Sequence, residues 1–178
     1  MTREYFAFFG IEPQLAPDEK DLQQRYYALS RQWHPDRFAR KSAAEAQEAL
    51  EATALLNDAW RTLRDPVARG QYVLRLEGFD LGEQTTKDVP PELLEEVFEL
   101  NMALEEAGDG DAGAVDQIAS MRTRFQSMLA DVDRKIAAAS AAWDADHARE
   151  SLTQLRAHLN RRKYIANLIE KTNVPDRV

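Results

Sequence analysis

The sequence predicts an all-α protein, in which an antiparallel helical hairpin near the N-terminus is followed by a three-helix bundle. Apolar residues recur at spacings of three and four along most of the chain, which is typical of amphipathic helices. Proline or a cluster of turn formers interrupts these periodic segments. One such cluster, residues 78–90, is poor in large apolar residues and is the predicted linker between a first domain (residues 1–77) and a second (residues 91–178).

The hairpin is predicted from two periodic segments that flank Pro35. The first covers residues 18–33, and the second starts at Ser42 or a neighbour and runs to about Leu63. Pro35 ends the first helix, because it has no N–H and disfavours the α region for the residue before it. The apolar stripe of the second helix is formed by Ala43, Ala46, Leu50, Ala54, Asn57, Trp60 and Leu63. In the first helix the stripe is formed by Leu22, Tyr26, Leu29 and Trp33. Core positions are predicted for Leu22, Tyr26, Leu29, Leu50 and Trp60.

The tripeptide His34-Pro35-Asp36 stands at the tip of this predicted hairpin, where side chains are displayed to solvent. Basic residues lie on the helix before it and just beyond it, namely Arg25, Arg31, Arg37, Arg40 and Lys41. On these residues alone, two interpretations stay open. His34 and Asp36 either belong to a binding site or are an ordinary turn histidine and a helix cap. The arginines either support that site or form a solvated helix face.

Three further periodic segments predict the bundle. The first starts at Pro90 or Pro91, where a missing N–H is tolerated, and ends at about Ala107 before the turn formers of residues 108–113. The second runs from Ala114 to about Ala142, with a stripe of Val115, Ile118, Met121, Phe125, Met128, Val132 and Ile136. The third starts near Asp144 and carries Leu152, Leu155, Leu159, Ile165 and Ile169. Short connections make neighbouring helices antiparallel.

The first helix of the bundle carries two apolar stripes. Leu93, Val97, Leu100 and Leu104 form one stripe, and Leu94, Phe98 and Met102 form another, turned by about 100° around the helix. The helix has no Lys or Arg, and glutamates lie beside both stripes: Glu92, Glu95, Glu96, Glu99, Glu105 and Glu106. Because a bundle seam needs only one stripe, the second fits a partner protein with an apolar patch and a basic rim. The alternative is a helix that is buried over a wide arc.

Composition narrows the possible functions. The chain has no cysteine, which excludes disulfides, thiolate catalysis and thiolate ligation of zinc or an iron–sulfur cluster. No apolar run approaches the length of a membrane span and no targeting segment is recognisable, so we expect a cytoplasmic protein. Residues 79–178 carry a net charge of −7, against −1 for residues 1–78. This acidity argues against nucleic acid or an anionic membrane as the partner of the second domain.

The first domain resembles the J-domain of DnaK-type co-chaperones. EYFAFFGIEP resembles the family's short first helix, YYALSRQWHPDRFARKS its hairpin, and LNDAWRTLRDPVARGQYVL (residues 56–74) the end of its third helix and its fourth. The resemblance covers roughly residues 4–76 and implies that the HPD loop and the basic helix before it dock on a chaperone's ATPase module and stimulate ATP hydrolysis. This role carries over to His34, Pro35 and Asp36, with Arg25, Arg31 and Arg37 as supporting charges.

The chain as a whole resembles the HscB type of co-chaperone, since an acidic three-helix bundle follows the J-domain without a Gly/Phe-rich linker or zinc cysteines. The join RGQYVLRLEGFDL and the LLEEVFEL helix are similar to that family. The resemblance implies a non-enzymatic protein without a cofactor, which binds an IscU-type iron–sulfur scaffold protein, delivers it to an HscA- or DnaK-type chaperone and stimulates the chaperone's ATPase, aiding cluster transfer. Scaffold binding carries over to Leu94, Glu95, Phe98, Glu99 and Met102. Glu95 and Val97 depart from residues common in the family, and a contact from the last helix, near Ala157 or Tyr164, stays open.

Two other classes of function remain as alternatives. In an enzyme, His34 and Asp36 would be a base and its orienting carboxylate, but no nucleophile or metal ligand is paired with them. His147 and His158 are about three turns apart on one predicted helix and cannot reach a single ion. In a J-domain adaptor for a different client protein, Leu94 and Phe98 would not bind an iron–sulfur scaffold.

Overall fold

The computed structural model of the chain describes residues 4–79 and 90–173, and all regular secondary structure within them is helical. The all-α prediction is therefore confirmed. The helices are α1 (Glu4–Phe9), α2 (Glu19–Gln32), α3 (Ala43–Arg64), α4 (Pro66–Leu76), α5 (Leu94–Gly108), α6 (Ala112–Asp146) and α7 (Arg149–Lys171). Two short 3₁₀ turns, Pro35–Arg37 and Pro91–Leu93, precede α3 and α5 respectively.

The chain divides into two compact units. One comprises Met1–Leu81 together with Ser140–Leu152, and the other comprises Gly82–Ala139 together with Thr153–Val178. The predicted linker, residues 78–90, falls largely outside the described residues, so the domain boundaries at 77 and 91 stay predictions.

Local signals define the ends of the hairpin helices in the first unit. The Asp18 side chain accepts a hydrogen bond from the backbone N–H of Asp21 (2.9 Å) and starts α2. Ser42 and Glu45 form a reciprocal capping box at the start of α3, in which each side chain accepts from the other residue's backbone N–H. The bonds from the backbone and hydroxyl of Ser42 lower the pKa of the Glu45 carboxyl. The predicted starts of both helices are thus confirmed, with the caps as their cause.

The buried face of α3 differs from the predicted stripe. Leu50 was a predicted core residue, but it is 61% exposed. The other predicted stripe residues that are exposed are Ala43, Ala46, Ala54 and Asn57. The residues that α3 buries are Ala49, Ala52, Leu56, Ala59 and Leu63. This alanine-rich helix has apolar residues at helical spacing in two registers, so the period alone does not select the buried one.

The remaining predicted core residues of the hairpin are only partly correct. Leu22 is buried, whereas Tyr26, Leu29 and Trp60 are half-buried. The rings of Tyr26 and Trp60 stack with centroids 4.6 Å apart, and this contact joins α2 to α3. The rest of the first unit's core comes largely from α1 and α4, through Phe6, Phe9, Tyr72, Val73 and Leu74.

A polar network surrounds the buried residue Leu15, in the segment between α1 and α2. The Asp144 carboxylate accepts from the backbone N–H groups of Leu15 (2.6 Å) and Ala16 (2.7 Å). The buried guanidinium of Arg69 donates to the carbonyl oxygens of Leu15 (2.9 Å) and Leu63. Burial lowers the pKa of Arg69, and the nearby charge of Asp144 opposes this shift. The network fixes the segment that leads into α2.

In the second unit, α5 and the main part of α7 both run antiparallel to α6. An ion pair between Glu96 and Arg124 joins α5 to α6 (3.0 Å), and one between Asp133 and Arg162 joins α6 to α7 (2.6 Å). The partners in each pair lie at similar distances from the turn between their helices, as antiparallel neighbours require. The core includes Leu93, Leu100, Ile118, Phe125, Val132, Ile136, Leu155 and Ile165.

Two details of the bundle helices were predicted wrongly. α6 extends to Asp146 and α7 begins only at Arg149, so His147 lies in the turn between them rather than on a helix. His147 has a φ of 51°, a left-handed conformation that ends a helix. Val115, a predicted stripe residue, is 56% exposed, because the buried face of α6 starts at the neighbouring Ala114.

Candidate functional site

The first candidate site is the exposed turn at the tip of the α2–α3 hairpin. Trp33 ends α2, and its backbone N–H still donates to the carbonyl of Leu29 (2.9 Å). His34 then caps the 3₁₀ turn Pro35–Arg37, with Pro35 at the first helical position. The side chains of His34 and Asp36 are both exposed, as the sequence predicted. Groups at this tip can bind another protein without rearrangement of the core.

The imidazole of His34 is oriented by the backbone of its own turn. Its Nδ1 accepts a hydrogen bond from the backbone N–H of Asp36 (3.3 Å). Acceptance at Nδ1 requires the neutral tautomer with its proton on Nε2, which leaves Nε2–H available as a donor to solvent or a partner. The Asp36 carboxylate lies 3.6 Å from the same Nδ1, beyond ordinary hydrogen-bond distance, and leaves its oxygens available as acceptors.

Packing beneath the turn holds it in place. The rings of Trp33 and Phe38, which flank the tripeptide, stack with their planes only 8° apart. The hydroxyl of Thr53 on α3 lies within hydrogen-bond distance of two carbonyl oxygens, that of Ala49 in its own helix (2.8 Å) and that of Trp33 (3.1 Å). The HPD turn is therefore anchored to both helices of the hairpin while its polar side chains face outwards.

The three arginines predicted to support this site differ in their contacts. Arg25 is engaged internally, since its guanidinium pairs with Asp21 (2.7 Å) and donates to the carbonyls of Phe9 (3.2 Å) and Gly10 (3.1 Å) at the end of α1. Arg37 reaches back to the carbonyl of Arg31 (3.4 Å). Within the described parts of the chain, the Arg31 side chain has no ion-pair partner. Arg31 and Arg37 are thus the better placed to meet a partner's negative charge.

The second candidate site is the outer face of α5. Leu94, Phe98 and Met102 are 55%, 66% and 46% exposed, respectively, and their spacing of four places them along one side of the helix. The parallel stripe is buried at Leu93 and Leu100 and partly buried at its other members, Val97 and Leu104. The interpretation of α5 as a helix buried over a wide arc is therefore wrong. Three adjacent large apolar side chains in solvent are typical of an interaction surface.

From the sequence, the glutamates of α5 were expected to lie beside this stripe. Not all of them do. Glu95 is exposed and Glu99 partly exposed beside Phe98. Glu96 is only 7% exposed and lies on the buried face, where its Oε1 is 3.0 Å from Nη2 of Arg124. The other arm of that guanidinium, Nη1, is 3.9 Å from Glu99. Arg124 was not predicted from the sequence, although its position mirrors that of Glu96 across the α5–α6 turn.

The sequence left open whether the last helix, α7, contributes a contact to the second candidate site near Ala157 or Tyr164. Ala157 is exposed and Tyr164 is half-buried. His158, one position after Ala157, is partly buried. Burial lowers its pKa, and the positive charges of Lys135 and Arg161 lower it further.

Among the described residues, no group of three or more His, Asp or Glu side chains is arranged to hold a metal ion. None of the described helices is long and apolar enough to cross a membrane.

Comparison with known protein families matches each half of the chain to one family. Residues 4–72 match the family described as DnaJ domain. Residues 89–173 match the family described as HSCB C-terminal oligomerisation domain. The two matches together span nearly all of the described residues, and each covers one of the candidate sites.

Individual relatives match the chain over almost its whole length. The iron-sulfur cluster co-chaperone protein HscB of Homo sapiens is 33% identical over 170 residues, which is 96% of this chain and 67% of that protein. The crystal structure of human co-chaperone protein HscB superposes with a TM-score of 0.69 at 30% identity, covering 96% of this chain and 81% of that one. Chaperone HscB from Vibrio cholerae gives a TM-score of 0.68 at 26% identity, covering 94% of each chain.

Proposed function

The chain belongs to the HscB family of J-domain co-chaperones of iron–sulfur cluster assembly, and on that basis we propose that it is an adaptor with two binding sites. One site binds an IscU-type scaffold protein, and the other binds an HscA- or DnaK-type chaperone and stimulates its ATPase. The protein thereby delivers the scaffold to the chaperone and aids transfer of the cluster. The cluster stays on the scaffold, because this chain has no cysteine to ligate it.

The observation that carries the proposal is the exposed apolar stripe of α5. Leu94, Phe98 and Met102 present three large side chains that are about half exposed or more. Glu95 is exposed beside them, and Glu99 lies partly exposed at the same rim with its carboxylate 3.9 Å from Arg124. This surface complements a scaffold with an apolar patch and a basic rim, in which burial supplies affinity and the charges guide the approach.

The chaperone side of the proposal is supported by the geometry of the HPD turn. His34 and Asp36 project from a turn that is anchored by Pro35 and by the stacked rings below it. Their free groups, an Nε2–H donor and a carboxylate, are suited to polar contacts with the chaperone's ATPase module. Arg31 and Arg37 add positive charge at the same tip, while Arg25 acts indirectly by holding α1 against α2.

The proposed mechanism is tethering. A protein that holds the scaffold at α5 and the chaperone at the HPD turn converts a three-body encounter into successive two-body steps. Once one partner is bound, the scaffold and the chaperone meet at a raised effective concentration of each for the other. Stimulation of hydrolysis is therefore expected to depend on both sites, even though neither site performs the chemistry.

Single-turnover ATP hydrolysis by the cognate HscA-type chaperone tests the proposal, with this protein and the scaffold added separately and together. The rate should rise sharply only when both are present. His34→Gln should abolish the stimulation and leave scaffold affinity unchanged. The double replacement Leu94→Ala and Phe98→Ala should abolish the effect of the scaffold, whereas Leu50→Ala, an equally exposed apolar position on α3, should change neither.

Each outcome of this experiment has a distinct meaning. If this protein stimulates hydrolysis equally with and without the scaffold, the proposed chaperone site would stand. The proposal that an iron–sulfur scaffold is the client would be refuted. Scaffold affinity that falls with His34→Gln would show that the two sites are not separate. An equal loss from Leu50→Ala and from the α5 double variant would show that α5 has no special role.

A further inference from the structure

Helix α5 has two apolar faces, and apolar content does not decide which one is buried. The exposed face carries Leu94, Phe98 and Met102. The inward face carries four aliphatic residues of similar total size, namely Leu93, Val97, Leu100 and Leu104. Burial of either face would remove a comparable apolar area from water. Some other interaction must therefore fix the orientation of the helix about its own axis.

Each face also carries a glutamate. Glu96 lies about 160° around the helix from Phe98, at the edge of the inward face between the buried residues Leu100 and Ala103. Glu105 lies about 20° from Leu94, within the outward stripe. Whichever face packs against α6, one carboxylate is taken out of water, and a buried carboxylate is tolerated only when a cation or hydrogen-bond donors compensate it.

Helix α6 supplies a cation to only one of these carboxylates. Arg124 pairs with Glu96 at 3.0 Å, and its second arm approaches Glu99 at 3.9 Å. Glu105, near the α5–α6 turn, is level with the first part of α6, and residues 112–121 contain no Lys or Arg. The second oxygen of Glu96, Oε2, is buried and has no hydrogen-bond partner among residues 4–79 and 90–173, so the compensation of this carboxylate rests on Arg124.

From this asymmetry we infer that the Glu96–Arg124 pair selects the inward face of α5 and thereby keeps the Leu94–Phe98–Met102 stripe in solvent. Arg124 is a positioning residue for the proposed scaffold site, on which this inference rests for its functional meaning. In this pair only Glu96 is buried, with a side chain that is 10% exposed, whereas the Arg124 side chain is 57% exposed. In some proteins a buried charged group specifies one packing among several, and we expect Glu96 to do so here through its pairing with Arg124.

The absence of cysteine from the chain allows the orientation to be measured directly. Met102→Cys places a single thiol on the exposed face, and Ala103→Cys places one at a buried position one residue later. The ratio of their labelling rates with a maleimide reports which face is outward. In Arg124→Gln the ratio should fall by at least about tenfold, because the uncompensated Glu96 favours rotation towards water.

Two further variants separate orientation from stability. Adding Glu96→Leu to Arg124→Gln removes the uncompensated charge and should restore the labelling ratio. Arg162→Gln breaks the ion pair with Asp133 between α6 and α7, in which the carboxylate is 47% exposed, and should leave the ratio unchanged. If circular dichroism shows that Arg124→Gln does not fold, Arg124→Lys replaces it, since Lys keeps the charge but loses the two-armed geometry, and an intermediate ratio is expected.

If the labelling ratio of the folded Arg124 variant equals that of the unaltered protein, the inference is overturned and the pair is an ordinary stabilising contact. The inference is also overturned if adding Glu96→Leu to the Arg124 variant does not restore the ratio. The labelling result does not involve the scaffold. Failure of the scaffold to bind the unaltered protein would refute the proposed function alone, whereas an unchanged labelling ratio would refute the positioning role alone.

Discussion

Replacement of Phe98 by alanine should weaken scaffold binding without destabilising the fold. Phe98 is 66% exposed in the free protein. Since an aromatic side chain can bury about 150–250 Å², the exposed part amounts to about 100–160 Å². At about 25 cal/mol per Å² its complete burial would contribute about 2.5–4 kcal/mol. Alanine retains the β-carbon, so we expect a loss of about 2 kcal/mol, or about 30-fold in Kd.

The assay is isothermal titration of the scaffold into each variant, combined with urea unfolding of the variants alone. Phe98→Ala should leave the free energy of unfolding within about 0.5 kcal/mol of the unaltered protein, as for most surface positions. Leu100→Ala, two residues away on the fully buried face, should lower it by about 2–5 kcal/mol. A change in Kd below about threefold for Phe98→Ala would exclude this side chain from the interface. Equal destabilisation by both variants would contradict its exposed position.

Three other predictions concern the first unit and α7. Arg25→Gln should lower the free energy of unfolding by about 1–2 kcal/mol, because its contacts are internal, whereas Arg31→Gln should leave it unchanged and weaken chaperone binding in a titration. Urea unfolding should show a loss of about 2–5 kcal/mol for Leu56→Ala but less than about 0.5 kcal/mol for Leu50→Ala. Burial lowers the pKa of His158 from its ordinary 6.5. The unfolded chain therefore binds the proton first, and stability should fall as the pH drops below 6.5, a dependence that His158→Gln should reduce.

The helical hairpin could be predicted from the sequence because its boundaries are set by local chemistry. Pro35 cannot continue α2, and the Ser42–Glu45 capping box starts α3 within four residues. Such signals act between neighbours in the chain and need no knowledge of the tertiary fold. The exposed position of His34 and Asp36 followed from the same signals.

The buried side of α3 could not be predicted in the same way. Its alanines satisfy helical spacing in two registers, and the structure buries the one that contains Leu56 rather than the one that contains Leu50. The choice depends on which side chains of α1, α2 and α4 face the helix, and the periodicity of α3 does not contain that information. The same limit applies to the start of the stripe on α6, where Ala114 is buried in place of Val115.

The two candidate sites differ in how they are encoded. The contacts that hold the HPD turn lie between residues 33 and 53 of the chain, within one helical hairpin. The α5 stripe is different, because the same helix carries a second apolar face and the stripe is a surface only while that face packs inwards. We infer that this condition depends on Arg124, which pairs with Glu96 from another helix and lies outside the stripe. A substitution at Arg124 can therefore remove the scaffold site while every residue expected to contact the scaffold is intact.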